Sequence, residues 1–462
     1  MRTFKTWMAA GLMGCAATLG VRAQDVQGFV HEQSDASGYV WPEDRQVREK
    51  LAEWQDQKFG VLFHWGLYSV PGIVESWSIC SEDEEWIPRD TTMSYDEYKR
   101  WYWGLKDRFN PTGFAPEQWA AVMKDAGMRY MIFTTKHHDG FCMYDSKYTD
   151  FSIARGPFRT NARRDVARHV FDAFREAGFM VGAYFSKPDW HCPWYWHPYF
   201  ATPTRRHNYK KERHPDWWQR YQTFTENQLL ELTAGYGPFD ILWLDGGWVT
   251  GEDVHLDNVL ARARQTNPGL ISVDRTIRGR NENYQTPERS IPDRQLSYPW
   301  ESCLTLSNDW GWTPNAPYKA PERIIAALVE VTAKGGCLLL GVGPTPEGII
   351  EQPVVDRLHR VGEWLRQNGE AIYAARPTPH YHDGHVWFTA NKDGRTLYAI
   401  YTVEEGEALP AEIGWTKNLP KGRMYLFQTG KRVKYALDGD RVTVSLPQGL
   451  RSESLVFRFE VE

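Results

Sequence analysis

From about residue 58 the chain repeats one theme: a short apolar run, a polar cluster at its end, then an amphipathic stretch. The first instance is Phe59-Gly-Val-Leu-Phe followed by His64-Trp65-Gly66. A helical period over 117–128 closes on Ala126-Gly127 and leads into Tyr130-Met-Ile-Phe-Thr-Thr-Lys136-His137-His138-Asp139-Gly140. Another over 163–177, capped by Gly178, feeds Phe179-Met-Val-Gly-Ala-Tyr184-Phe185-Ser186, and a third over 216–235 precedes Asp240-Ile-Leu-Trp243-Leu-Asp245-Gly246-Gly247-Trp248. The theme returns at Ile271-Ser-Val-Asp274-Arg275 and, after a helix over 322–333, at Gly335-Gly-Cys-Leu-Leu-Leu-Gly-Val-Gly343-Pro344. Strands buried on both faces read as continuous apolar runs, and helix, glycine cap, strand and polar end mark successive βα units. Six or seven such units predict an α/β fold, a (β/α)8-like barrel with room for irregularity. The proline-rich and aromatic stretch 281–318 has little helical period and is expected to form long loops over the barrel mouth.

Beyond a helix near 356–373 the period shortens to two. Val386-Trp-Phe-Thr-Ala, Thr396-Leu-Tyr-Ala-Ile-Tyr-Thr-Val, Met424-Tyr-Leu-Phe, Val442-Thr-Val-Ser-Leu and Ser454-Leu-Val-Phe-Arg-Phe-Glu-Val alternate, with Asp393-Gly394 and Asp438-Gly439 as turn signals. These predict a C-terminal antiparallel β-sandwich over 376–462, after a barrel over 24–375. A length of 462 residues suits two such units.

The N-terminus adds an address. Arg2 and Lys5 precede an apolar run from Trp7 to Gly20, and Val21-Arg22-Ala23 offers a cleavage site before Gln24. Residues 1–23 therefore read as a signal peptide of a periplasmic or secreted protein. Leu12-Met-Gly-Cys15 leaves open a lipoprotein anchored through Cys15. No other segment is long and apolar enough for a stable membrane span. Five scattered cysteines would remain, without a Cys-x-x-Cys pair, so neither a disulfide framework nor a zinc knuckle is written here. Charge narrows the partners: 54 basic against 59 acidic residues, net −5, offers no nucleic-acid face. No Gly-x-Gly-x-x-Gly or Walker loop follows a strand, so nucleotide use has no support. The 22 Trp, 23 Tyr and 21 Phe mostly build core, yet some can line a pocket against the C–H faces of a sugar.

Barrel chemistry sits at the C-terminal strand ends. That rule selects His64, Lys136, His137, His138, Asp139, Tyr184, Asp245, Arg275 and Glu301. Asp245 leads: it ends an apolar run, Gly246-Gly247 leaves the backbone free to turn beside a ligand, and Trp243 points the same way two residues earlier. A carboxylate beside an aromatic wall suits a glycosidase nucleophile, which needs a second, protonated carboxyl to assist the leaving oxygen. Arg275 is placed to balance Asp245 or to bind a hydroxyl.

Four linked motifs go further. Phe63-His64-Trp65-Gly66-Leu67-Tyr68-Ser69-Val70-Pro71, Thr135-Lys136-His137-His138-Asp139-Gly140-Phe141, Trp243-Leu244-Asp245-Gly246 and Val342-Gly343-Pro344-Thr345 with Glu347-Gly348 resemble the α-L-fucosidases of glycoside hydrolase family 29. The resemblance runs in order through most of 55–375. It implies a retaining mechanism without metal or organic cofactor, acting on fucosylated oligosaccharides or glycoconjugates. It also implies Asp245 as nucleophile, His64, His137 and His138 as binders of fucose hydroxyls, and Trp243, Tyr184 and Arg275 as pocket residues. Trp300-Glu301-Ser302-Cys303, leading to Trp310-Gly311-Trp312, resembles a family acid/base loop, so Glu301 is the expected acid/base, with Trp312 at the sugar and Glu288 as rival. Two positions depart. The family's adjacent Glu-Trp is replaced by Val74-Glu75-Ser76-Trp77, with Glu85-Trp86 beyond; Trp77 is the counterpart by spacing. Gly341 stands where an asparagine is common, a change expected to alter barrel packing.

Two other classes stay open from the residues alone. A metal-dependent barrel hydrolase would use His64, His137, His138 and Asp245, although His137 and His138 can share an ion only if the strand ends between them. A non-catalytic sugar-binding protein would keep the aromatic residues and histidines without needing both carboxylates.

Overall fold

The computed structural model describes residues 38–80, 87, 89–202, 204–275 and 279–461. The expected signal peptide, the lipid-bearing Cys15 alternative and Glu85-Trp86 lie outside the described residues. Seven parallel strands form one curled sheet: β1 (Phe59–Phe63), β2 (Tyr130–Lys136), β3 (Met180–Ser186), β4 (Ile241–Asp245), β5 (Ile271–Val273), β6 (Glu301–Thr305) and β7 (Cys337–Val342), in the order β5-β4-β3-β2-β1-β7-β6. The helices α1 (Arg45–Gln57), α2 (Tyr95–Gly104), α3 (Pro116–Asp125), α4 (Val166–Glu176), α5 (Pro215–Gly235), α6 (Leu256–Thr266), α7 (Pro321–Ala333) and α8 (Gln352–Asn368) accompany it. Helix α4 shows why they pack outside: Val166, Ala167, Val170, Phe171 and Phe174 recur at helical spacing on the buried face.

The seven strands leave a seam between β5 and β6, and an irregular segment, 283–289, fills it. The Asn283 N–H donates to Ser272 O at 2.8 Å, and Ser272 N–H donates to Asn283 Oδ1 at 2.8 Å. On the other side Glu301 N–H donates to Gln285 O (2.8 Å), Cys303 N–H to Pro287 O (3.0 Å) and Arg289 N–H to Cys303 O (2.8 Å). Pro287 has no N–H to return, which keeps the segment from becoming a regular strand. The stretch 281–318 is thus more than loops: it holds β6 and the closing segment, which carries Glu288. Its strand escapes a hydrophobicity reading because Glu301-Ser-Cys-Leu-Thr has no apolar run.

Inside the ring, alternate residues meet as one core that includes Leu62, Tyr130, Ile132, Trp243, Val273, Cys303 and Leu339. Helix α1 plugs its floor. Asp44 caps it by accepting from Gln46 and Val47 N–H, and Val47, Leu51 and Trp54 share its buried face. Trp54 stacks on Tyr284 with ring centroids 4.0 Å apart. At Gly60 an added Cβ would lie 2.4 Å from the Tyr130 ring, so glycine on β1 is what admits that ring.

The C-terminal strands are β8 (Arg376–Asp383), β9 (Val386–Ala390), β10 (Thr396–Thr402), β11 (Glu412–Trp415), β12 (Lys421–Leu426), β13 (Lys431–Val433), β14 (Ala436–Asp438), β15 (Arg441–Ser445) and β16 (Ser454–Glu460). They form antiparallel sheets ordered β13-β12-β16-β10-β9-β8 and β11-β15-β14, facing each other across a core of Phe388, Trp415, Val442, Phe457 and Phe459. Gly394 and Gly439 adopt φ of 72° and 59° at the two turn signals, the region glycine tolerates. Trp364 of α8 donates to Ser454 O at 3.1 Å, tying these sheets to the barrel helices. All five described cysteines are buried. No helix among the described residues is long and apolar enough to cross a membrane.

Candidate active site

At the C-terminal strand ends the structure gathers His64, His137, His138, Tyr184, Trp243, Asp245, Arg275 and Glu288. Asp245 is the last residue of β4. Gly246 follows with φ 79°, and any Cβ there would lie 2.2 Å from Pro188 Cδ, so the turn requires glycine. That turn aims Gly246 N–H at Asp245 Oδ1 (2.7 Å), while the Tyr184 hydroxyl donates to Oδ2 (2.5 Å). Arg275 lies between two carboxylates: its NH1 is 3.6 Å from Asp245 Oδ1 and its NH2 is 2.6 Å from Glu288 Oε2. The arginine is held at φ 54°, an uncommon backbone for a side chain. The Glu282 carboxylate secures it by accepting from Asp274 N–H (3.0 Å) and Arg275 N–H (2.6 Å). Arg275 also lies over the Trp243 ring at 4.7 Å, and Trp243 stacks with Tyr184 at 5.3 Å.

The histidines form the opposite wall. Strand β2 ends at Lys136, so His137 and His138 follow in irregular backbone and both face inward, their ring centroids 4.4 Å apart. His138 Nδ1 lies 2.6 Å from Ser186 Oγ, and that hydroxyl gives its own proton to Pro188 O (2.7 Å). The serine must therefore accept from His138 Nδ1–H, which leaves Nε2 bare and 3.7 Å from Asp245 Oδ2. His137 Nδ1 bonds to Ser76 Oγ at 2.5 Å. Burial pushes His64 down to about 3 and His138 down to about 4, and holds His137 well below its usual range, so all three are neutral at pH 7. Neutral rings with bare nitrogens accept hydroxyl protons, the chemistry a polyol requires. His137, His138 and Asp245 also offer three ligand atoms within 4.8 Å of one another.

Trp77 joins this wall, 5.0 Å from His138 between ring centroids. Its neighbours diverge: Ser76 goes to His137, and Glu75 accepts from Gly311 N–H at 2.7 Å. Trp312 is set at the β1–β7 rim, where its backbone and ring occupy the space that a Cβ at Gly343 or Gly72 would need. Lys136 and Asp139 are drawn into separate contacts. Lys136 pairs with Asp189 at 3.0 Å, and Asp139 accepts from Tyr102 OH at 2.7 Å and Phe141 N–H at 3.0 Å, ordering the turn after His138.

Glu301 is not at the mouth. It opens β6, opposite Cys337 at the start of β7, and is fully buried. Its carboxyl accepts from Tyr130 OH (2.7 Å) and from Trp243 Nε1 (3.2 Å), supporting Trp243 from beneath. Burial raises it from an ordinary 4.5 to about 7. The folded protein keeps a proton that the unfolded chain loses, so this group's stabilisation is full below about pH 4.5 and is lost as pH rises through about 7. Glu301→Gln is expected to remove a slope of about 1.4 kcal/mol per pH unit from that window. Chemical denaturation of both proteins from acid to neutral pH measures it. Asp139, raised by burial to about 7, titrates in the same sense and remains in the variant.

Trp310 is the functional neighbour that sequence reasoning did not single out. Its Nε1 donates to Glu288 Oε1 at 3.1 Å and its ring lies 5.3 Å from His64. The ring fills the inward space at Gly341, where an added Cβ would lie 2.6 Å from it. The glycine in place of the common asparagine thus leaves its barrel volume to an indole that touches Glu288.

Comparison with known proteins agrees in sequence and in shape. The α-L-fucosidase family model matches residues 27–370. Plasma α-L-fucosidase of Homo sapiens is 30% identical over 373 residues, covering 76% of each chain. α-L-Fucosidase isoenzyme 1 from Paenibacillus thiaminolyticus superposes with a TM-score of 0.75 at 29% identity, over 90% of this chain and 100% of that one. The α-fucosidase of Thermotoga maritima, solved in complex with fucose, gives 0.73 at 29% identity, over 91% and 100%. It has also been solved in complex with a mechanism-based inhibitor. With a family match over most of its length and relatives of the same barrel, the chain belongs to the α-L-fucosidase family.

Proposed function

We propose that this protein is a retaining exo-glycosidase that releases terminal α-L-fucose from oligosaccharides or glycoconjugates through a covalent intermediate on Asp245. The observation that carries the reading is the Arg275 guanidinium spanning Asp245 and Glu288 at the barrel mouth. One guanidinium within reach of both puts the two carboxylates on the same side of the barrel mouth, where a pair can act on one glycosidic bond; a retaining pair lies about 5–5.5 Å apart. Two charged carboxylates around one cation leave a buried net negative charge, and one proton makes the set neutral. Asp245 has the Tyr184 hydroxyl and the Gly246 N–H beside Arg275, donors that favour its charged form. The reading assigns that proton to Glu288, since a retaining pair needs its nucleophile charged and its partner protonated. Asp245 attacks the anomeric carbon, Glu288 protonates the departing oxygen, and Glu288 then draws a proton from the water that releases fucose.

Glu288 takes the acid/base role in this reading, in place of Glu301, because Glu301 lies beneath Trp243. His64, His137 and His138 bind sugar hydroxyls, and Tyr184, Trp243, Trp77 and Trp312 shape the walls. The Thermotoga relative's complexes with fucose and with a mechanism-based inhibitor support this sugar and a covalent route. We further propose export by removal of residues 1–23, with a catalytic barrel over 24–375 and a β-sandwich over 376–462. The plasma location in the name of the human relative is in keeping with export.

The test follows hydrolysis of an aryl α-L-fucoside by NMR. Retention requires that α-L-fucose appear before its β-anomer; β-L-fucose first, or fucose binding without turnover, overturns the reading. Trp310→Phe keeps the ring and removes its N–H. It is expected to slow turnover of a natural fucosyl linkage about tenfold, ~1.4 kcal/mol, with a smaller effect on an activated aryl fucoside. Steady-state kinetics on both substrates check this.

A further inference from the structure

We propose that the His137–His138–Asp245 cluster is an inhibitory zinc site, at which Zn2+ and the sugar exclude one another. Three features build it. The chain leaves β2 at Lys136, one residue earlier than sharing an ion requires, so strand alternation no longer sends the two neighbouring histidines to opposite faces. Each of the three residues offers a ligand atom, all within 4.8 Å of one another, and ligand atoms on one tetrahedral zinc sit roughly 3.3 Å apart. The His138 Nε2 to Asp245 Oδ2 distance, 3.7 Å, is already close to that spacing.

The second feature is the state of His138. Its ring is fully buried, and its Nε2 has no hydrogen-bond partner. The proton on Nδ1 is given to Ser186 Oγ, which passes its own to Pro188 O, so Nε2 presents a lone pair toward Asp245. An imidazole that donates its far N–H to an oriented oxygen is the arrangement metal-binding histidines use. His137 has a hydroxyl at the same ring position, Ser76 Oγ on Nδ1.

The third feature limits the site to an inhibitor. The Arg275 guanidinium, 3.6 Å from Asp245 Oδ1, opposes a cation, and the Tyr184 hydroxyl already occupies Oδ2. A full shell also needs a fourth ligand from water. Zinc here is therefore exchangeable, and it takes the atoms on which the fucosidase reading depends. Two neutral nitrogens and a carboxylate favour zinc over magnesium or calcium, which prefer all-oxygen sites.

The inference rests on the fucosidase reading only for its competition with sugar, so binding and competition are measured separately. Titration calorimetry of the mature protein with zinc chloride should show one site per chain. Saturating L-fucose should abolish it, and His138→Gln should remove it. Ser186→Ala, which takes away only the acceptor for Nδ1–H, should weaken zinc about 10–100-fold, and it serves where His138→Gln does not fold. With an aryl α-L-fucoside, zinc should raise the apparent KM and leave kcat unchanged, reversed by EDTA. Undiminished zinc binding in both variants, as the buried cysteines would produce, overturns the site. So does zinc binding equally well with fucose present, in protein shown to bind fucose when zinc-free. Absence of fucose binding in zinc-free protein counts against the fucosidase reading alone, because the stoichiometry and the two variants test the metal site without it.

Discussion

Replacing Asp245 with glycine should lower hydrolysis of an aryl α-L-fucoside by on the order of 10^4-fold or more, the scale of removing a nucleophile that acts with partners. The fold should survive. With Asp245 gone, Glu288 at 2.6 Å gives up its proton and becomes the counter-charge of Arg275, so no buried cation is stranded, and the turn at Gly246 is set by backbone conformation. Circular dichroism and a thermal melt separate lost chemistry from lost structure. The space vacated between Tyr184, Arg275 and Gly246 suits a small anion. Added azide should restore turnover and yield β-L-fucosyl azide, since it attacks from the face the carboxylate used. A soluble variant with ordinary hydrolysis and no azide product would remove Asp245 from the nucleophile role.

The second large effect separates the two glutamates. Glu288→Ala should cost about 10^2–10^4-fold on natural fucosides, the usual range for a general acid. On an activated aryl fucoside the first step needs little protonation, so the fucosyl-enzyme should form and then accumulate for want of a base. A burst of aryl release followed by a slow steady state is the expected trace. Glu301→Ala should behave differently. It strands the Trp243 N–H in the barrel core, at about 1–3 kcal/mol for an unsatisfied group, and leaves the Tyr130 hydroxyl with Leu338 O at 3.2 Å as its acceptor. Its main reading is a lower melting temperature, with similar proportional losses on both substrates. If Glu301→Ala gave the burst and Glu288→Ala did not, the two assignments would exchange.

The strands that read clearly from the sequence are those buried on both faces: Phe59–Phe63, Tyr130–Lys136, Met180–Ser186 and Ile241–Asp245 are unbroken in burial, and their polar ends supplied most of the site. The strand Glu301–Thr305 did not read as one, because it starts on a carboxyl that satisfies two core donors and contains no apolar run. The place of Glu301 was hidden for the same reason. A polar residue beside Trp and Cys looks like a strand end, whereas the register with Cys337 makes it a strand start. Trp310 reaches Glu288 across 22 residues through a volume vacated by Gly341, a relation between three distant positions that no local pattern encodes. Glu282 likewise earns notice only in three dimensions, as the clamp on the Asp274 and Arg275 amides.

The segment 283–289 closes the ring with a few main-chain hydrogen bonds rather than a full ladder, and it carries Glu288. Local opening of such a seam is easier than opening of the seven-stranded sheet around it. Heat or denaturant that frees the seam moves Glu288 away from Asp245 while the rest of the barrel is still folded. Inactivation then precedes global melting, and a ligand that bridges the two carboxylates fastens the barrel at its weakest joint.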